Sequence, residues 1–499
     1  MNARARRIGL RIAADGAVVA TAPSARSLPQ ALAFARERAG WIAERLTSSD
    51  HGLLTNMLVG VAGSFVGNFV EWFDYAVYGY FAHEISGAFF PNDTPRTALV
   101  KTFALFALSF LCRPIGGVVW GHIGDRIGRR SALAASILLM SGASFLIALL
   151  PTYHAAGILA PVLLLVLRLV QGFSAAGEYA GASAYLTEYA PASRRGLTGA
   201  VVPASTASGL LVGSLIAAGM SAWMPASDLA SWGWRLPFAL ALPLGLVGLT
   251  IRRRLDDSPE FLAARENTPA SEAAPIALVL RERRALVVTF AAALLNAVGF
   301  YVVLSYLPTY LSTELDLDQT LSFVAATIAL GCYIALVLGA GALSDRYGRK
   351  PLMYAASTLF IVGSVPAFVA LGSGSFAVIV LVQILLGGVL ALNDGVLPSF
   401  LAEQFTTRTR FTGFALTFNL ANALFGGTAP MIATWLVGRT HWTIAPAVYL
   451  VAVAVVTLVA VAVDLGDLFN GSDMCHPTGE HDHRGDHTQH HTNGQVAGG

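Results

Sequence analysis

Long apolar stretches dominate the pattern of residues along the chain. Runs of roughly twenty apolar residues recur, and a helix of that length, rising about 1.5 Å per residue, crosses a hydrocarbon core about 30 Å thick. Such runs are far too long for barrel strands. Twelve of them begin near Met57, Leu99, Ala132, Ile158, Leu197, Trp234, Ala285, Leu321, Leu352, Phe376, Phe411 and Ile444. The pattern therefore predicts an all-α membrane protein with twelve transmembrane helices.

A repeated motif divides these runs into two sets. The string that starts at Gly121 (GHIGDRIGRR) returns at Gly341 (GALSDRYGRK), each time between the second and third runs of its set. A repeat of this kind predicts two parallel six-helix halves. We expect the following division: a cytoplasmic extension at 1–52, the first half at 53–251, a charged cytoplasmic linker at 252–284, the second half at 285–466 and a disordered His-rich tail at 467–499.

Charge supports a membrane location and predicts an orientation. Only 12% of the residues are charged, against about 25% in an ordinary soluble protein. Arginines crowd alternate connections, such as 126–130 and 252–254, while the other connections carry few. By the positive-inside rule the crowded loops are cytoplasmic, and an even number of spans then puts both termini there too. We expect membrane lipid as a partner and no nucleic acid.

The first fifty residues do not belong to the membrane unit. Residues 4–12 alternate like a basic strand, and residues 32–46 read as an amphipathic helix. The segment resembles the start of bacterial zinc metallopeptidase-like hydrolases, whose catalytic helix carries HExxH. The closest string here begins at His83 and lacks the second histidine, which would put two imidazoles on one helical face. We therefore expect a non-catalytic fragment, with an ordinary extension as the alternative, no metal site and no enzyme activity.

Several further strings resemble one branch of a transporter superfamily. They are GNFVEWFD at 67–74, RPIGG at 113–117 and QGFSAAGEY at 171–179. With the repeated loop, they are similar to the metabolite:proton symporters of the major facilitator superfamily over about residues 55–465. Within that branch, WGWRLPF at 232–238 and SYLPTYL at 305–311 look most like proline/betaine transporters. The resemblance implies alternating access in a bacterial cytoplasmic (inner) membrane.

The absence of a nucleotide-binding motif bears on the energy source for transport. The chain contains no Gly-x-x-x-x-Gly-Lys-Ser/Thr loop for nucleotide phosphates. We therefore expect no cofactor and an ion gradient as the energy source. The family resemblance implies a proton gradient, with protons and a small-molecule substrate as the species bound.

Charged residues inside the spans of the first half are candidates for coupling. A carboxylate at membrane depth is costly unless it is paired, hydrated or neutral. Asn68, Glu71, Tyr75 and Tyr78 fall at i, i+3, i+7 and i+10, which is one face of a helix, and Asp74 lies beside them. We predict proton coupling by Glu71, Asp74 and Glu178. We predict substrate binding in this half by Asn68, Trp72, Tyr75, Tyr78, Arg168 and Tyr179.

The second half supplies further polar candidates. The predicted substrate-binding residues there are Tyr301, Tyr306, Asn393, Asp394, Asn419 and Asn422. For each charged residue the alternative is a buried structural pair, and for each asparagine it is an interhelical hydrogen bond. Arg113 is expected to be structural, near the cytoplasmic end of the second span, where its side chain either reaches the interface or holds the following loop.

The repeated loops have a separate predicted role. Asp125 and Asp345 can accept hydrogen bonds from helix N-terminal amides. The family resemblance implies a conformational latch between inward-facing and outward-facing states. The residues predicted for it are Gly121, Asp125, Arg126, Gly128, Arg129, Arg130, Asp345, Arg346, Gly348 and Arg349.

The substrate prediction comes from a balance of charges. Aromatic faces suit an ammonium group, and Arg168 suits a carboxylate. Acidic residues outnumber arginines in the spans, which disfavours a dianion or trianion. We predict proton-coupled symport of a small zwitterion or carboxylate, like proline or betaine. The alternatives are an organic-acid symporter for citrate, shikimate or 2-oxoglutarate, or an exporter on the same fold; a metal-dependent hydrolase is disfavoured.

Overall fold

The structure is a computed structural model that describes residues 9–12, 18–21, 61–253 and 275–470. We number the membrane-spanning helices α1 to α12. Helix α1 covers 61–80 and continues as Ala82–Phe89. The others are α2 Val100–Arg126, α3 Arg129–Leu149, α4 Leu159–Glu188, α5 Arg195–Met220, α6 Arg235–Arg253, α7 Arg283–Ser312, α8 Leu321–Tyr347, α9 Arg349–Leu371, α10 Phe376–Glu403, α11 Arg410–Thr440 and α12 Ala445–Val463.

The prediction of twelve transmembrane helices is confirmed. Helices α2 to α12 are each long and apolar enough to cross a membrane, and α1 precedes them. Short helices occupy some connections, at Tyr153–Ala156, Ala226–Asp228 and Pro275–Val279. The two halves pack on each other mainly through α5 against α8 and α2 against α11.

Irregular turns interrupt the same helices that carry the polar candidates. The regular α-helix of α4 stops at Ala175 and resumes at Glu178, and that of its counterpart α10 stops at Asp394 and resumes at Leu397. Helices α7 and α11 contain π-helical turns at Phe300–Tyr306 and Asn422–Gly426. Such turns free backbone groups and rotate side chains, and in membranes they are tolerated where protein or a cavity surrounds them.

The N-terminal extension is described only in part. Strand β1, Gly9–Ile12, pairs in antiparallel fashion with strand β2, Val18–Thr21. The predicted strand is thus confirmed over residues 9–12. The predicted amphipathic helix at 32–46, most of the linker and the His-rich tail lie outside the described residues.

Candidate functional site

A buried ion pair joins α1 to α2. The Arg113 Nη2 atom donates to Glu71 Oε1 at 2.7 Å, and the two side chains are 2% and 1% exposed. The guanidinium also lies over three aromatic rings, 4.6 Å from the centroid of Phe110, 5.0 Å from that of Tyr75 and 6.0 Å from that of Trp72. Glu71 is therefore balanced by a cation within the membrane.

The expectation that Arg113 reaches the interface is wrong. Arg113 precedes Arg126, the last residue of α2, by thirteen residues, which is about 20 Å along a helix axis. No arginine side chain spans that distance to the interface. The charge is tolerated at this depth because Glu71 neutralises it and aromatic faces surround it.

A second buried pair joins α1 to α4. Arg168 donates to Asp74 Oδ2 at 3.1 Å, and its guanidinium carbon lies 3.8 Å from the centroid of the Tyr78 ring. The Gln171 amide donates to the same carboxylate oxygen at 2.9 Å and to Ser144 Oγ at 2.7 Å. Sequence reasoning missed Gln171, although its i, i+3 spacing from Arg168 places both on one helix face.

Glu178 has a different kind of environment. Arg252, in α6, donates to both carboxylate oxygens of Glu178, and Ser136 donates a third hydrogen bond at 3.2 Å. Arg252 also donates to the carbonyls of Gly63 and Leu133. Glu178 therefore ties α1, α3, α4 and α6 together, as a buried structural pair does. Its proton-coupling role stays a prediction.

Aromatic side chains from both halves meet beside the Glu71–Arg113 pair. The ring of Trp72 lies 4.9 Å from Phe300 and 6.3 Å from Tyr301, and Phe110 lies 6.0 Å from Tyr301. Trp72 Nε1 and Tyr301 Oη are buried without a hydrogen-bond partner among the described residues. Because buried polar groups normally find partners, these two atoms mark the meeting point of the halves as a place for a polar ligand.

A further buried carboxylate, Asp394 in α10, has only neutral partners among the described residues. Tyr333 Oη donates to its Oδ2 at 2.7 Å. The amides of Asn296 and Asn393 donate to its Oδ1 at 2.9 and 3.1 Å. Asp394 is fully buried, and no cation contacts it within the part of the chain that the structure describes. Sequence reasoning did not identify Tyr333, because α8 carries no polar stripe that would single it out.

Most of the other predicted substrate residues form hydrogen bonds with neighbouring groups of the protein. Asn68 donates to Val202, Ser205 and Thr206 of α5, Tyr78 donates to the Thr102 carbonyl, and Asn422 donates to the Phe418 carbonyl. Tyr306 accepts from Thr434. Asn419 donates across the two halves to the Ala176 carbonyl at 2.9 Å. The contacts of Asn68 and Asn419 match the interhelical alternative, whereas that of Asn422 lies within α11. A binding role for these residues stays a prediction.

Tyr179 differs from that group. Its ring stacks on Phe418 at 4.3 Å between centroids, which bridges α4 and α11. Its hydroxyl is buried and has no hydrogen-bond partner among the described residues. The side chain therefore lies between the halves with a free polar atom.

The repeated loops hold the two halves in contact at one end of the helices. We call this end the loop side. Asp125 accepts from the backbone N–H of Thr412 at 2.8 Å and that of Phe411 at 3.3 Å, at the start of α11. Asp345 accepts from the N–H groups of Gly196 at 2.7 Å and Leu197 at 2.9 Å, at the start of α5. Each aspartate thus meets the N-terminus of a helix of the opposite half, where the backbone amides favour negative charge.

Arginines of the same loops complete these contacts. Arg129 pairs with Asp125 and Glu188 and donates to the Thr407 carbonyl of the other half. Arg349 pairs with Asp345 at 2.9 Å. Arg126 and Arg346 are exposed, and Arg130 donates to the Arg253 carbonyl at 2.6 Å.

Glycines in these loops meet two physical needs. Gly128 and Gly348 have φ angles of 139° and 88°, a conformation that favours glycine. A Cβ atom on Gly121 would lie 2.6 Å from the Thr412 Cα atom, and one on Gly341 would lie 2.6 Å from the Gly196 carbonyl oxygen. The close approach of the halves therefore requires glycine at 121 and 341.

Comparisons with known proteins agree with this arrangement. The family model of the Major Facilitator Superfamily matches residues 64–419. A putative proline/betaine transporter of Staphylococcus aureus (strain COL) is 39% identical over 398 residues, which cover 79% of this chain and 85% of that protein. The proline/betaine transporter of Escherichia coli (strain K12) is 34% identical over 426 residues, covering 83% and 84%.

A relative from Dickeya dadantii (strain 3937), a glycine betaine/proline/ectoine/pipecolic acid transporter, is 35% identical over 83% of each chain. Among solved structures, the proton:xylose symporter XylE with a bound glucose derivative superposes with a TM-score of 0.68 at 19% identity, covering 83% of this chain and 96% of that one. That likeness shows the fold. With its two six-helix halves and matches over most of its length, the chain belongs to the Major Facilitator Superfamily and is a multi-pass membrane transporter, not an enzyme.

Proposed function

We propose that this protein is a proton-coupled symporter that accumulates a small zwitterion, of the proline or betaine class, across the bacterial inner membrane. The observation that carries the proposal is the buried Glu71–Arg113 pair, which adjoins aromatic residues of both halves. The names of three relatives, which include proline and betaine, support the same substrate class.

The pair supplies a way to couple protons to substrate. When Glu71 takes up a proton, its carboxyl becomes neutral and no longer balances Arg113. A buried cation without a partner is costly, so the guanidinium then favours the carboxylate of the substrate, to which it can donate two parallel hydrogen bonds. Proton binding and substrate binding therefore strengthen each other, as symport requires.

Arg113 is better placed for this role than Arg168. The contacts of Arg168 with Asp74, Gln171 and the rings near it all lie in the first half. Arg113 packs against Phe110 and Trp72, and the rings of these two residues pack against Tyr301 of the second half. A site between the halves is the one that alternating access exposes to each side in turn. The Asp74–Arg168 pair remains the second candidate.

Orientation completes the proposal. The loop side carries the arginine clusters, so the positive-inside rule makes it cytoplasmic and places both termini in the cytoplasm. The state described here is closed on that side by Asp125 and Asp345.

Uptake into proteoliposomes tests the function. With an inward proton gradient we expect accumulation of labelled betaine or proline, and a protonophore should abolish it. Unlabelled betaine and proline should compete, whereas citrate, shikimate and 2-oxoglutarate should not. If an organic acid blocks uptake and neither zwitterion does, the substrate class is wrong. Empty liposomes of the same lipid give the background.

Replacing Asp125 with Asn should slow transport without weakening substrate binding. Asparagine keeps an acceptor oxygen but loses the charge that favours the α11 N-terminus, an effect of about 0.3 to 2 kcal/mol. Exchange between the two states therefore changes, and we expect turnover to fall by up to about thirtyfold. Turnover in vesicles and equilibrium binding in detergent separate the two effects.

The counterpart Asp345→Asn is the matched control, because Asp345 makes the equivalent contacts with the start of α5. We expect both variants to behave alike. Lost binding with unchanged turnover in either variant would contradict the latch.

A further inference from the structure

The carboxylate of Asp394 lies at the centre of a small polar cluster in the second half. We define the Asp394 cluster as Asp394 and Asn393 of α10, Asn296 of α7 and Tyr333 of α8. All three hydrogen bonds to the carboxylate come from donors that carry no charge. The carboxylate accepts at both oxygens, which is how an ionised carboxylate is held.

The charge of Asp394 is unusual among the buried acids of this protein. Glu71, Asp74 and Glu178 each pair with an arginine. Asp394 has no such partner among the described residues, and an unbalanced charge inside a membrane protein is expensive. The Oδ1 atom of Asn393 is also fully buried and accepts no hydrogen bond from the described residues. The cluster therefore offers a negative charge and a free acceptor, the donor set that a cation needs.

The position of the cluster relates it to Arg113. Helix α7 connects the two, because Asn296 contacts Asp394 while Tyr301 packs on Trp72 and Phe110, whose rings face the Arg113 guanidinium. Five residues separate Asn296 from Tyr301, about 7 Å along the helix. The Asp394 cluster and the rings around Arg113 therefore lie within about one and a half turns of each other along α7.

We propose that Asp394 is the anionic partner of the positively charged end of the substrate, while Arg113 holds the carboxylate end. This inference rests on the proposed function and adds the recognition of charge by the second half. The same carboxylate repels a second negative group, so it selects zwitterions against dicarboxylates and tricarboxylates. The stacked rings of Tyr179 and Phe418 add aromatic surface for the methyl groups of an ammonium.

A pair of ligands that differ only in charge tests the proposal. Betaine carries a trimethylammonium group, and 3,3-dimethylbutanoate has the same shape with a carbon in place of the nitrogen. We expect the purified wild-type protein to bind betaine at least about tenfold more tightly, the equivalent of about 1.4 kcal/mol. In Asp394→Asn this ratio should fall to about one, because the negative charge is lost while the size of the side chain is kept. Titration calorimetry measures both dissociation constants.

A relocated charge provides the control. Asn296 touches Asp394 at 2.9 Å, so Asn296→Asp in the Asp394→Asn background returns a carboxylate to the cluster and should restore part of the ratio. If Asp394 is purely structural, Asp394→Asn should bind both ligands more weakly by the same factor, and the ratio of affinities should stay unchanged. The measurements are repeated in sodium-free potassium buffer. Discrimination that needs sodium would mean that the cluster binds a metal ion, which overturns the proposal.

The outcomes separate this proposal from the proposed function. If the wild-type protein takes up betaine but has the same ratio of affinities for the two ligands as Asp394→Asn, the proposed role of Asp394 is wrong and the proposed function stands. Wild-type protein that binds no betaine overturns the role of Asp394, and protein that binds neither betaine nor proline overturns the proposed function as well. If Asp394→Asn does not fold, the wild-type protein and the double variant still test the proposal. Equal wild-type affinities for the two ligands exclude recognition of the positive charge.

Discussion

Glu71→Gln abolishes the accumulation of substrate driven by a proton gradient and leaves exchange of substrate across the membrane. Glutamine has the shape of the protonated acid but cannot release a proton. Arg113 is then permanently without its anionic partner, so it continues to bind the substrate carboxylate. Transport becomes independent of pH, and the gradient no longer does work on the substrate.

Two assays on the same vesicles measure this result: uptake under an imposed pH gradient, and exchange of labelled for unlabelled substrate at equal pH. Asp74→Asn is the matched control, since it also removes one carboxylate from a buried acid–arginine pair on α1. We expect it to retain more accumulation than Glu71→Gln, because its pair lies within the first half. Accumulation at the wild-type level in Glu71→Gln would remove Glu71 from the coupling mechanism.

Arg252→Met strongly destabilises the folded protein. The substitution leaves the buried Glu178 carboxylate without the cation that contacts both its oxygens. Breaking a buried pair from one side typically costs about 3 to 5 kcal/mol. Two backbone carbonyls, of Gly63 and Leu133, lose their donor as well. We expect little monodisperse protein after detergent extraction and a clear fall in the thermal unfolding temperature.

The double variant Arg252→Met, Glu178→Met should recover most of that stability, because no charge is then left unpaired. Arg253→Met is the surface control, since Arg253 is the exposed neighbour in the same helix turn. The double variant also tests coupling. If it still accumulates substrate under a proton gradient, Glu178 is structural. An Arg252→Met protein as stable as the wild type would contradict the structural pair.

Local sequence information was enough for the twelve spans, the two halves and the loop motif. A span depends on the length of one apolar run, and the repeat depends on spacing within one stretch of chain, so neither needs knowledge of a distant residue. The hydrogen bonds that Asp125 and Asp345 accept from backbone N–H groups at helix N-termini were also predicted, since short acidic side chains suit helix N-termini. The polar stripe of α1 identified Glu71 and Asp74 for the same local reason.

Only the tertiary structure decided which charges meet. Arg113 was expected to serve the cytoplasmic end of its span, yet it lies thirteen residues before that end and pairs with Glu71 of another helix. Glu178 was grouped with the coupling acids, and its partner Arg252 lies 74 residues away on α6. Asp394 meets Tyr333 and Asn296 from two further helices. Pairings of this kind depend on the rotation and depth of packed helices, which a single helix pattern does not contain.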